Sequence, residues 1–291
     1  MLHLPTTIWY IVFCYAPMFG VVIAFKNYRA RPGRSFLWSL IHNSEWVGFE
    51  NFQFLFKSSY FETMLRNTLV YNTIFIILGV VIPVALAIMI SQLYSKKLAK
   101  TCQTMMFLPH FLSWVVIGYF VYAFLATDAG LVNNTAKLLN IGDPKHQWYQ
   151  DVGFWTWFLV FLNVWKTMGY NMVVYMATIS GIDSQMYEAA LIDGATVWQL
   201  IRYIQLPLCR ASIGTSVIAS LTSRIAMYEQ IALTTSGGPG DDTMSLPIIL
   251  VKGIMDYRYG YANTVGVVMF IIGLIVLGVV NKLFRMDEAN Y

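Results

Sequence analysis

Tyr187-Glu188-Ala189-Ala190-Leu191-Ile192-Asp193-Gly194-Ala195-Thr196, running on to Ile204-Gln205-Leu206-Pro207, is the longest polar-containing interruption in the C-terminal half of an otherwise apolar chain. Its residues spell a helix–turn–helix. Asp183 or Ser184 can cap a first short helix, since either side-chain oxygen accepts an orphan backbone N–H. Gly194 breaks that helix, because glycine takes φ > 0 at little steric cost. Thr196-Val197-Trp198-Gln199 has the form of a capping box that starts a second helix. Val197, Leu200, Ile201 and Ile204 then fall on one apolar stripe, and Pro207 closes the unit.

What surrounds this unit sets the fold class. Of 291 residues, 57% are hydrophobic and only 12% charged, where a soluble domain carries about 25% charged residues. The chain therefore reads as an all-α integral membrane protein, a single domain over 1–291. Uncharged or nearly uncharged runs give six expected spans, at about 5–25, 68–93, 103–126, 153–178, 211–233 and 264–283, each reaching the roughly 20 residues that a bilayer requires. Pro83 is an expected kink in the second span. The first span follows no basic leader and precedes no small-residue cleavage site, so it reads as retained rather than as a signal peptide. Residues 26–66 read as a loop whose aromatic stretch 46–56 lies along the interface, being too short to span. Residues 128–151 and 234–263 are further loops, the latter with Gly237-Gly238-Pro239-Gly240-Asp241-Asp242.

Charge excludes some partners and leaves orientation open. A net charge of +4 without a dense Lys/Arg cluster points away from nucleic acid. Cys14, Cys102 and Cys209 are scattered and read as thiols rather than disulfides or ligands. His3, His42, His110 and His146 have no metal-ligand spacing. With six spans, the side holding both termini and 179–210 carries seven basic residues: Lys96, Lys97, Lys100, Arg202, Arg210, Lys282 and Arg285. The opposite loops carry ten, so the positive-inside rule does not place the termini in the cytoplasm.

Glu188-Ala189-Ala190, Gly194 and Ile204-x-Leu206-Pro207 resemble the EAA loop of membrane subunits of bacterial ATP-binding-cassette importers, and the position between the fourth and fifth spans also fits. Ala24-Phe25-Lys26-Asn27-Tyr28, Trp165-Lys166-x-x-Gly169-Tyr170-Asn171 and Ser236-Gly237-Gly238-Pro239-Gly240 resemble the maltose-type (type I) sugar permeases, in their LplB-like oligosaccharide and polysaccharide branch. The likeness runs over essentially the whole chain. It implies the type I permease fold in a bacterial plasma membrane, with cytoplasmic termini and 179–210 as a cytoplasmic coupling loop. Tyr187, Glu188, Ala189, Ala190, Leu191, Asp193, Gly194, Ala195, Thr196 and Trp198 would then form the surface that receives the ATPase. It also implies a second homologous permease subunit, two ATPase subunits that bind ATP and Mg, and an extracellular solute-binding lipoprotein. The loop's residues agree with that role: a short capped helix is rigid, and Ala189 and Ala190 let a partner approach closely.

Charges inside spans cost at least ~2.5 kcal/mol each at mid-bilayer, so Lys166, Arg224 and Glu229 call for an explanation. They line a path that hydrogen-bonds sugar hydroxyls, or they are structural pairs. Sugars bind through aromatic faces and planar polar groups, which nominates Trp114, Asn163, Trp165, Tyr170, Asn171, Tyr228 and Gln230; the competing role for each is packing. The chain has no Gly-x-x-x-x-Gly-Lys-Ser/Thr phosphate loop and so no ATPase site of its own. The leading expectation is a permease subunit of an ATP-driven oligosaccharide importer working by alternating access. The alternatives are an ion-driven transporter that uses Lys166, Arg224 and Glu229 as a relay, an importer of another solute, and a membrane enzyme acting on glycans, for which no catalytic carboxylate pair stands in a loop.

Overall fold

A computed structural model describes residues 3–224, 228–235 and 243–284, with the backbone alone at 221–224 and 283–284. The run Gly237 to Asp242, the Arg224 side chain and Arg285 therefore lie outside the described residues. The chain begins with α1 (Leu4–Tyr10), continued by a π turn, Ile11–Tyr15, and a 3-10 stretch, Ala16–Phe25. Then come β1 (Lys26–Asn27), α2 (Phe36–His42), β2 (Glu45–Trp46), α3 (Glu50–Lys57) and α4 (Phe61–Ser91). The middle holds α5 (Lys96–Phe107), α6 (Trp114–Leu125), α7 (Leu131–Leu139), α8 (Val152–Ser180) and α9 (Ser184–Ile192). The remainder is α10 (Val197–Leu200), α11 (Leu206–Leu208), α12 (Arg210–Arg224), α13 (Glu229–Thr235), α14 (Leu246–Met255) and α15 (Tyr259–Phe284).

Among the described residues, Leu4–Phe25, Phe61–Ser91 and Tyr259–Lys282 are long and apolar enough to cross a membrane. A fourth candidate is the pair Lys96–Phe111 and Trp114–Leu125, bent by 95°. The helical path through the third expected span bends between Phe111 and Trp114. Pro109, with no N–H to give, sits in the 3-10 turn Leu108–Phe111, and Ser113 caps the new start by accepting from Val116 N–H at 3.3 Å.

The contacts form two compact units. The first comprises Met1–Thr68 and Met244–Leu274. Its segment 26–66 is not a bare loop. Lys26 pairs with Trp46 and Asn27 with Glu45 in an antiparallel ladder. Phe25 stacks on Trp46 with ring centres 6.0 Å apart and meets Phe49 and Phe52 edgewise or tilted, while Leu55 is fully buried. The Asn51 amide donates to Ala24 O at 2.9 Å, and the Lys26 ammonium donates to Leu40 O at 2.7 Å. The Asn67 amide donates to Met244 O at 3.0 Å, and Leu246 N–H donates to Thr68 Oγ1 at 3.0 Å, tying α4 to the chain entering α14.

The second unit comprises Leu69–Thr243 and Ile275–Tyr291. Its core joins Val84, Ala87, Ile88 and Ile90 of α4 to Met172, Tyr175 and Ile179 of α8 and to Cys209. Helix α5 crosses α8 at Gly169, where a Cβ would collide with the Met106 carbonyl. Among the described residues, both π turns end two residues before a helical proline. Ala16 N–H reaches back to Ile11 O ahead of Pro17, and Leu206 N–H to Ile201 O ahead of Pro207. A proline ring clashes with the carbonyl four residues earlier, and one wider turn relieves that clash.

Candidate coupling loop and transport path

The loop 179–210 builds its own shape. Asp183, not Ser184, is the cap of α9; its carboxylate accepts from Gln185 N–H at 3.0 Å. At the other end Gly194 stands at φ +77°. Gly194 N–H donates to Leu191 O at 3.0 Å and Ala195 N–H to Ala190 O at 2.9 Å. These two bonds make a Schellman closure and satisfy carbonyls the helix end would leave orphaned. The capping box forms in both directions. Gln199 N–H donates to Thr196 Oγ1 at 3.4 Å, and Thr196 N–H donates to Gln199 Oε1 at 2.7 Å.

Within that frame, Tyr187 is half-buried and its hydroxyl accepts from the Gln205 amide at 3.2 Å, which holds α9 to the turn beyond α10. Ala190 and Ala195 are half-buried, while Glu188, Ala189, Asp193 and Thr196 are exposed. Leu191, Ile192 and Trp198 expose 57%, 86% and 67% of their surface. These three leave apolar surface exposed around a turn that caps itself. Of the expected stripe, Leu200 is buried, Ile201 and Ile204 are half-buried, and Val197 points outward.

The residues expected along a sugar path separate into two groups. Asn163 and Gln230 are buried and bonded together, the Asn163 amide donating to Gln230 Oε1 at 2.9 Å. Gln230 in turn donates to Leu159 O at 2.7 Å. They join α8 to α13. Asn171 is half-buried and donates to Gly79 O at 3.1 Å. That carbonyl lies four residues before Pro83, which has no N–H to offer it. The second group has free surface. Tyr170 is 50% exposed, with its ring stacked on His110 at 4.6 Å. Trp114, Trp165 and Tyr228 are half-buried, and Glu229 is exposed at the start of α13. Trp165 lines an apolar cavity of about 380 Å³ with Ile117, Phe158 and Phe161.

Lys166 sits at the break between α5 and α6. Its ammonium donates to His110 O at 3.0 Å and to Leu112 O, and lies 5.6 Å from the Trp114 ring centre. The break frees carbonyls in an apolar setting, and the lysine supplies their donors. Sequence reasoning missed His110, which stacks beside this lysine; no local pattern marks it, because the contact spans 60 residues from His110 to Tyr170.

Residues 79–285 match the family described as "Binding-protein-dependent transport system inner membrane component". The polygalacturonan/rhamnogalacturonan transport system permease protein YteP of Bacillus subtilis (strain 168) is 28% identical over 299 residues, covering 100% of this chain and 89% of that one. Protein LplB of the same strain is 27% identical over 279 residues, covering 95% and 85%. Among solved structures, a chain of a bacterial ABC transporter that imports the acidic polysaccharide alginate superposes with a TM-score of 0.83 at 29% identity, covering 99% of this chain and 94% of that chain. A second structure of a bacterial alginate transporter, in complex with its pentasaccharide-bound periplasmic protein, gives 0.84 at 29% identity. The family match spans well over half the chain and the fold is that of the alginate transporter chain, so this protein belongs to the inner-membrane components of binding-protein-dependent transport systems.

Proposed function

We propose that the chain is a permease subunit of an ATP-driven oligosaccharide importer and moves its substrate by alternating access through six spans. In this reading the termini and 179–210 face the cytoplasm. The chain pairs with a second, homologous permease, two ATPase subunits supply ATP and Mg chemistry that this chain lacks, and an extracellular solute-binding lipoprotein delivers the sugar. The observation that carries the reading is the self-capped α9–Gly194–α10 unit, which presents Leu191, Ile192 and Trp198 to solvent on a rigid turn. A motor must push on something that does not yield, and apolar groups left in water call for a partner. The printed substrates of the relatives, alginate and polygalacturonan/rhamnogalacturonan, support a saccharide cargo. The tie of Lys166 to two backbone carbonyls removes the main support for an ion relay.

The test is assembly and turnover. Leu191→Asp with Trp198→Asp should leave membrane insertion intact, release the ATPase subunits on purification and abolish sugar uptake. Wild-type uptake by that double variant would overturn the coupling role.

A further inference from the structure

The first unit carries a polar cavity that the coupling loop and path do not use. It encloses about 530 Å³ between β1, the start of α3 and the turn leading into α15. That volume is within the roughly 300–1,000 Å³ of small-molecule sites. Three cations line it, Lys26, Arg29 and Arg258, against one carboxylate, Glu50. Lys26 keeps its charge but spends donors on the Leu40 and Ser44 carbonyls, which leaves the two arginines as the cations with side-chain donors to offer. Among the described residues, no carboxylate stands within ion-pair distance of either. The Arg258 guanidinium lies 5.0 Å from the Phe54 ring centre and 5.1 Å from that of Tyr261. Placed beside two rings that accept no conventional hydrogen bond, it keeps its N–H groups for a planar acceptor. Tyr28 and Tyr259 extend the aromatic wall, their rings edge-to-face at 5.5 Å.

We propose that this cavity is an outer subsite for an anionic oligosaccharide, one whose sugar rings bear carboxylates. Arginine forks match carboxylates bidentately. Phe54, Tyr259 and Tyr261 offer faces to the C–H surface of a pyranose. Glu50 can accept from the sugar hydroxyls that lie between the carboxylates of such a chain. The inference rests on the proposed sidedness, in which the segment after α1 and the segment before α15 both face outward.

The test uses the complete importer complex in phosphatidylcholine nanodiscs, without the binding protein, and two probes, trigalacturonate and neutral maltotriose. Arg29→Gln combined with Arg258→Gln is compared with wild type in complexes of equal subunit composition and thermal stability. Trigalacturonate affinity should fall by about tenfold or more, the scale of a lost charged hydrogen bond, while maltotriose affinity stays as in wild type. Arg258→Lys, which keeps the charge but not the fork, should lose part of that affinity. Unchanged trigalacturonate binding in the double variant, or an equal loss for maltotriose, overturns the proposal. So does an effect seen only when the binding protein is added, which marks a protein-docking face, or only when anionic lipid replaces phosphatidylcholine, which marks a headgroup site. Sidedness is read separately: an Arg29→Cys variant should label with a membrane-impermeant maleimide in intact cells above the background of the native cysteines, and absence of labelling overturns the outward placement.

Discussion

The side-chain amide of Asn171 donates to the carbonyl of Gly79 at 3.1 Å, and Gly79 is the residue whose helical partner would have been the N–H of Pro83. A side chain from α8 thus fills a vacancy that the proline makes in α4. Asn171→Ala should lower stability by about 1–3 kcal/mol, the range for a buried acceptor left unpaired. Pro83→Ala returns the N–H, so Asn171→Ala in that background should have little effect. Thermal unfolding of the four proteins in one detergent closes the cycle, and strict additivity would show that the two residues are not coupled.

Gly194 separates conformation from bulk. Nothing lies within 4 Å of where its Cβ would stand, yet its φ is +77°. A side chain is therefore opposed by the backbone alone, at about 1–2 kcal/mol for most residues and less for Asn or Asp. Gly194→Asn should keep sugar uptake near wild type and Gly194→Val should lose it. Equal uptake by the two variants would show that the turn geometry does not matter for coupling.

Thr196 and Gln199 cap each other's backbone. Thr196→Ala should cost about 1 kcal/mol of local helix stability, visible as faster amide exchange over 197–200 with no change in α8. If exchange in that segment is unaltered, the box contributes nothing to the stiffness of the loop.

Lys166 is the donor for two carbonyls released at the α5–α6 break. Lys166→Met retains the apolar stem and removes the donors, so it should lower the unfolding temperature and reduce uptake. Lys166→Arg should restore much of the loss, because a guanidinium also donates to two oxygens at once. A Lys166→Met protein with wild-type stability would refute the role of the ammonium as a clasp.

The parts legible in the sequence are those governed by neighbours in the chain. The caps at Asp183 and Thr196 and the stop at Gly194 each depend on groups at most six residues apart, and the long apolar helices announce themselves by length. Within 26–66 the aromatic stretch 46–56 was legible, but the short ladder was not, because it pairs Lys26 with Trp46 and is backed by Phe25 stacking on Trp46 across 21 positions. Pro109 was visible, but a lone proline kinks a helix as readily as it breaks one; the 95° bend is held by a lysine 54 and 56 residues away. Asn163 and Gln230 have the chemistry of sugar ligands, and only their separation of 67 residues hides that they bond to each other.

The caps and the Schellman closure of the α9–α10 turn are made between Asp183 and Gln199, and Gln205 just beyond it ties back to Tyr187. Nothing borrowed from another subunit is needed for the turn to take its shape. Such a segment behaves as an interchangeable part: exchanged between permeases, it should carry its angle with it, and compatibility with a given motor would then be decided by the few side chains painted on its surface.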